Sequence, residues 1–215
     1  MLDRVSMRPA WFPDWRDKYV AVIASGPSTT KADVEMLRGR LPVVVIKKNV
    51  ELAPWADMVY GCDAPWWRHA HGLPEFKGIK LTASRATVDK YPGFHCVDVK
   101  IAADELLLAN PGVIGSGGNS GFQAINILAQ IGVRGILLLG FDMNTQSKVH
   151  WYGRNDWTNA NNPGLHNFKR WQVAFNNAAK QFEACRIEVI NASRLTTLKC
   201  FPYLSVEAAL RKWGL

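Results

Sequence analysis

Residues 112–144, "GVIGSGGNSGFQAINILAQIGVRGILLLGFDMN", decide the fold. Four glycines and two serines crowd into the seven positions 115–121. Apolar residues then recur at Phe122, Ile125, Ile127, Leu128 and Ile131, the spacing of a helix. "RGILLLGFD" follows as a run apolar on both faces, the pattern of a buried strand, and it ends on Asp142. Two readings of the glycine segment are open. Its amides and the helix N-terminus could cradle an anion, or it is a tight turn with a helix cap. It lacks the Gly-Lys-Ser/Thr of a P-loop, and no G-x-G-x-x-G follows the first strand.

Outward from this stretch, the same alternation recurs. "KYVAVIAS" reads as a buried strand over 19–24, broken by Ser25-Gly26-Pro27-Ser28. "TTKADVEMLRGR" reads as a helix that Ser28, Thr29 or Thr30 caps. "LPVVVIKKN" is a second strand ending near Asn49, and residues 58–61 are a third, with Asp63 just beyond. "FKGIKLTAS" and "GFHCVDVK" are shorter candidates. "LHNFKRWQVAFNNAAKQFEAC" is a long helix, "RIEVINAS" a last strand and "SVEAALRKW" a closing helix. Buried strands alternating with helices predict an α/β domain with a mostly parallel sheet and helices on both faces. In such sheets ligands gather at the carboxyl ends of the strands. Those ends carry Ser25 to Ser28, Asn49, Asp63, and Gly140 to Asn144.

The 215 residues suit one large domain, and 48% hydrophobic against 20% charged allows a full core. No apolar run reaches membrane-span length, and the start lacks a signal-peptide core, so a soluble, cytoplasmic protein is expected. Cys62, Cys96, Cys185 and Cys200 are too scattered for a zinc site and read as reduced thiols. The net charge of +8 suits anionic ligands, nucleic acid included, but no nucleic-acid motif is present. Trp66, Trp67, Trp151 and Trp157 lie among polar residues, where they serve either as walls for a ring-shaped ligand or as ordinary packing. Residues 143–164 are polar and long for a connection in a compact domain, which predicts a lid.

"ASGPS" at 24–28 and "NSGFQAINILAQIGVRGILLLGFDM" at 119–143 resemble the DUF115 and sialyltransferase-like superfamily. It includes glycosyltransferase family 42, the motility accessory factor glycosyltransferases and 6-hydroxymethylpterin pyrophosphokinase-like proteins, and compact members of this kind occur in phage genomes. The resemblance runs from about Val20 to about Ser193. It implies a Rossmann-like nucleotide-binding domain over 19–215, with a lid at 143–164 and residues 1–18 as an extension.

The resemblance implies that Gly26, Pro27 and Ser28 approach the nucleotide phosphate and ribose. Ser25 replaces the family's usual Asn there. Asn49 matches a nucleotide-binding Asn, and Asp63 stands where the family has a further Asn; a carboxylate there repels phosphate but accepts from a ribose hydroxyl or base amine. Gly118, Asn119, Ser120 and Gly121 form the helix start that meets the donor, and Asp142 ends the strand as the family's Asp does. Asn144 and His150 stand at or near two positions that hold the leaving phosphate as tyrosines, with Tyr152 close enough to substitute. His166 matches the general base, one residue out of step with its glycine; a neutral imidazole can take a hydroxyl proton at neutral pH.

The function so implied is a metal-independent glycosyltransferase without a cofactor, taking a nucleotide-activated donor such as a CMP-linked acidic sugar and an unidentified acceptor. No Asp-x-Asp is present to hold a metal beside a diphosphate. One alternative is a pyrophosphokinase using ATP and Mg²⁺, with Asp63 and Asp142 as metal ligands. The other is a non-catalytic module for nucleotide or nucleic acid.

Overall fold

The computed structural model describes residues 8–144 and 148–215. Residues 1–7 of the expected extension and 145–147 of the expected lid lie outside the described residues. Seven parallel strands form one sheet in the order β5-β4-β3-β2-β1-β8-β9. They are β1 (Tyr19–Ile23), β2 (Val43–Ile46), β3 (Met58–Gly61), β4 (Ile79–Thr82), β5 (Phe94–Cys96), β8 (Gly135–Leu139) and β9 (Glu188–Asn191). A separate parallel pair joins β6 (Asp98–Lys100) to β7 (Val113–Gly115). The Rossmann-like, mostly parallel α/β arrangement expected from the sequence is what forms.

The apolar strand runs exist because both faces of the sheet are covered. Val20, Val22, Val44, Ile136 and Leu138 enter one core. Their alternating neighbours Ala21, Ile23, Val43, Val45, Leu137 and Leu139 enter the other. Since successive strand side chains point to opposite faces, two covered faces demand continuous hydrophobicity. On the first face lie α4 (Ser120–Ile131), through Phe122, Ile125 and Leu128, and α5 (Leu165–Ala184), through Phe175, Ala178 and Phe182. On the second lie α1 (Lys31–Glu35), α2 (Ala64–His69) and α6 (Val206–Trp213), through Val34, Trp66, Trp67 and Leu210. The remaining helix, α3 (Arg85–Lys90), packs near the β5 edge.

Several local readings are resolved here. Thr30 is the residue that caps α1, its hydroxyl accepting from Asp33 N at 3.2 Å. The second strand stops at Ile46 and gives way to a 3-10 turn over Lys47–Glu51. The short elements α2, α3 and β7 have no counterpart in the sequence reading. Trp66 and Trp67 are core residues, with Trp67 Nε1 donating to Gly61 O at 2.8 Å. Trp157 is buried as well and stacks on His69. Within residues 8–18 of the extension, Phe12 and Trp15 are buried in the first core. The four cysteines are all free. Among the described residues, no helix is long and apolar enough to cross a membrane.

From β1 the chain steps outward through β2 to β5, then returns to place β8 and β9 on the other side of β1. The crevice at the carboxyl ends of β1 and β8 is therefore the topological switch point, the usual place for a ligand in an open parallel sheet.

Candidate functional site

A cavity of about 630 Å³ opens at this switch point, within the range of small-molecule sites. It gathers residues from six separated segments: Ser25 to Pro27, Lys47, Asp63, Ile101, the glycine loop, and the region from Asp142 to Trp171.

The floor is set by the loops after β1 and β8. Gly26 N donates to Gly140 O at 2.9 Å, and Ala24 N to Leu139 O at 2.8 Å, so the two loops run in contact. A Cβ at Gly26 would lie 1.8 Å from Asp142 Oδ2 and 2.4 Å from Gly140 O. Only glycine permits this approach. Ser28 N donates to Asp142 Oδ2 at 3.3 Å, while Asp142 Oδ1 is buried without a partner among the described residues. Burial raises the Asp142 carboxyl above its ordinary range, opposed by hydrogen bonding from Ser28. Ser28 is not among the cavity-lining residues.

The glycine loop forms a tight turn and helix cap. Its early amides are spent internally: Ser116 N and Gly117 N donate to Ala103 O, and Gly118 N to Ser116 Oγ. Asn119 is the N-cap of α4 and accepts from Phe122 N at 2.9 Å. The amides of Ser120 and Gly121 are not taken up by any described residue, and both residues line the cavity. The loop is thus a turn, and the anion-attracting part is the first turn of α4, where two free N–H groups add to the helix dipole. Gly118 has φ +74°, and a Cβ there would meet Trp171 Nε1 at 2.9 Å. Trp171 Nε1 in turn donates to Gly118 O at 2.8 Å, so α5 braces the loop. Trp171 is a cavity residue the sequence reading missed. The signal was its place three residues after Phe168 on the helix, which is also what ordinary packing produces.

The third wall comes from the expected lid. His150 and Gly153 pair backbone to backbone. His150 Nδ1 lies 2.9 Å from Ser25 Oγ, and its Nε2 is buried without a partner among the described residues. The imidazole is pushed down to about 4 by burial, reinforced by Lys47 and Arg154. Tyr152 stacks on His150, and burial pushes its phenol up to about 12. Its hydroxyl donates to Asn155 Oδ1 at 2.7 Å, so its one proton is already placed. Asn144 donates to Leu195 O and fixes the exit from β8.

Asp63 lines the cavity, but its carboxylate is engaged twice. It pairs with Lys47 Nζ, and it caps α2 by accepting from Trp66 N at 3.4 Å. In the pyrophosphokinase alternative this carboxylate would exchange Lys47 for Mg²⁺. Asn49 is fully buried, away from the cavity lining. It donates to Ile46 O and accepts from Trp151 Nε1 at 2.8 Å. His166 is the second residue of α5; it lines the cavity and is exposed.

A pH effect follows from His150. An unfolded imidazole titrates near 6.5, the folded one near 4. Between those values the unfolded chain holds a proton that the folded chain does not. The contribution is therefore full above about pH 6.5 and is lost as pH falls toward 4. From pH 7 to pH 5 this costs about 1–2 kcal/mol. Urea unfolding at both pH values should show His150→Gln losing that much less stability than the parent. An equal loss in the two proteins would remove His150 as its source.

No protein-family model and no curated protein matches the sequence. The fold is similar to that of the sialyltransferase CstII from Campylobacter jejuni, solved in complex with a substrate analogue, cytidine-5'-monophosphate. The TM-score is 0.57 at 12% sequence identity, over 88% of this chain and 86% of that one, so the two share a sialyltransferase-like fold.

Proposed function

We propose that this protein transfers a sugar from a nucleotide-activated donor, a CMP-linked acidic sugar, to a hydroxyl acceptor. The observation that carries this reading is the cavity at the β1/β8 switch point, which joins free amides of α4 to a buried neutral imidazole and an exposed one. The likeness of fold to a CMP-bound sialyltransferase supports the nucleotide. The superfamily named by the sequence resemblance, compact members included, is the natural setting for such an activity.

Each group has a role that its environment suits. The Ser120 and Gly121 amides, with the Ser120 hydroxyl, hold an anionic group of the donor. His150 is uncharged at neutral pH, and in the tautomer in which Ser25 donates to Nδ1 its proton stands on Nε2. That N–H is buried, so it reaches the phosphate oxygen only when the segment around His150 shifts with the donor bound; it then donates as the bond to the anomeric carbon breaks, and no ion has to be desolvated. Tyr152 serves this role less well, because its proton belongs to Asn155. His166, exposed on the cavity wall, takes the proton of the acceptor hydroxyl as its oxygen bonds to the anomeric carbon. The nucleoside monophosphate departs with the electron pair.

A thermal-shift series with CMP, CDP, UDP, GDP and ATP, each with and without Mg²⁺, tests the donor class. Stabilisation by CMP without metal is expected, since a ligand that binds only the folded state raises Tm by mass action. Stabilisation by ATP only when Mg²⁺ is added would replace this reading with phosphoryl transfer, and no response to any nucleotide would end it. His166→Ala should keep CMP affinity and lower kcat about 10²–10⁴-fold. Undiminished turnover would move the base elsewhere, with His150 examined next.

A further inference from the structure

Asn49 stands after β2, where family resemblance implies a nucleotide ligand, yet its surroundings point to different work. Its side chain is fully buried. Its Nδ2 donates to Ile46 O at 2.6 Å, and its Oδ1 accepts from the indole Nε1 of Trp151 at 2.8 Å. Trp151 is 102 residues away in sequence and directly follows His150. Its own backbone N–H donates to Ser25 O at 3.0 Å, while the His150 ring sits 2.9 Å from Ser25 Oγ. Beside this contact Lys48 Nζ lies 4.8 Å from the centre of the Tyr152 ring, and Tyr152 stacks on His150. Two neighbouring residues of the 3-10 turn thus grip two residues that flank or stack on His150.

We propose that Asn49 and Trp151 form a clasp that positions His150 over the end of β1, making Asn49 a positioning residue rather than a ligand of the nucleotide. The physical reason lies in the segment's own weakness. Residues 148–164 contain no helix or strand, only the single backbone bridge between His150 and Gly153. The segment's other hydrogen bonds, such as Tyr152 to Asn155 and Asn155 to Asn162, stay within it and do not tie the imidazole to the sheet. A buried amide on a rigid turn does, because the indole N–H has no better acceptor once water is excluded. An Asn side chain suits this position, since its amino group takes the strand-end carbonyl while its oxygen takes the indole. The charged groups acting on the ring are Lys47, from the turn after β2, and Arg154, from its own segment. Ser25 and Tyr152 are its polar and stacking neighbours. The assignment depends on the transferase reading only for its effect on CMP affinity.

The decisive experiment follows the His150 ring by NMR pH titration, without ligand, in the parent, Trp151→Phe, Asn49→Ala and the double variant. Trp151→Phe keeps an aromatic ring and removes the N–H, so it remains informative even where Asn49→Ala folds poorly. Releasing the clasp admits water to His150. Its titration midpoint should rise by at least one pH unit in each single variant, and no further in the double one. CMP affinity, measured by calorimetry on the same proteins, should fall by a similar factor in both single variants. An unmoved His150 midpoint in Trp151→Phe would overturn the clasp. So would a loss of CMP affinity confined to Asn49→Ala, the mark of a direct ligand. If no variant and no parent protein binds CMP, the donor reading fails while the titration still decides the clasp.

Discussion

Gly26→Ala is expected to destabilise the protein by about 2–4 kcal/mol, near the upper end for an overpacking substitution. It should also weaken CMP binding at least tenfold. The added methyl would sit 1.8 Å from a carboxylate oxygen of Asp142 and 2.4 Å from the carbonyl of Gly140. Neither neighbour is free to retreat. Gly140 O is the acceptor of Gly26 N, and Asp142 O accepts from Thr197 N at 2.8 Å, so the loop after β8 is held from behind. The loops after β1 and β8 must separate, and the cavity floor moves with them. Denaturant unfolding and calorimetry with CMP measure the two effects. A variant as stable as the parent, with unchanged affinity, would show that the crevice is pliable and that the close approach of the loops does not shape the site.

Asn126→Ala should cost about 3–5 kcal/mol, from one buried amide that makes three hydrogen bonds. Asn126 is fully buried in α4. Its Oδ1 accepts from Leu107 N at 3.0 Å and Gly115 N at 2.8 Å, and its Nδ2 donates to Leu107 O at 2.9 Å. Truncation leaves the Leu107 and Gly115 N–H groups without that acceptor and takes one of two donors from Leu107 O, which costs more than the hydrogen bonds themselves are worth. Gly115 begins the glycine loop, so the damage reaches the α4 N-terminus as well as the fold. Faster hydrogen exchange at Leu107 and Gly115, beside a lowered unfolding free energy, is the expected signature. A cost below about 1 kcal/mol would mean that water replaces the amide and that the loop is supported elsewhere. Gln130, which donates to Leu107 O at 2.7 Å and Val113 O at 2.8 Å, is the neighbour best placed to give that support.

The two substitutions probe one arrangement from opposite sides. Gly26 keeps the strand ends close enough to form the cavity floor, and Asn126 holds the loop that carries its anion-attracting wall. Lining the same cavity is His150, whose imidazole burial keeps uncharged at neutral pH, with Lys47 and Arg154 adding to the effect. Under the proposed transfer, a neutral donor beside the phosphate is what departure of that phosphate calls for. A charged imidazole would bind it in the ground state as well and would gain less in the transition state.

The strands, and the strand ends at which the cavity opens, were legible from residue order alone. A run such as "GILLL" is apolar at every position because it contributes alternately to two cores, and no exposed strand could tolerate that composition. The parallel sheet follows from it, and so does a site where Ser25, Asp142 and the glycine loop meet. What the sequence left undetermined were contacts between distant segments and the shortest elements. Asp63 and Pro65 are a helix-start signal for α2, yet Asp63 just beyond an apolar run reads equally as a strand-end ligand, and six residues are too few for periodicity to correct it. Asn49 and Trp151 are each ordinary in their local context. Only the folded chain brings the amide to the indole and the imidazole to Ser25. Patterning records which face of an element is buried, because that depends on neighbours three or four positions away. Which polar groups become partners depends on how loops close over the sheet, and that is decided by packing and by the cost of leaving a buried donor or acceptor alone.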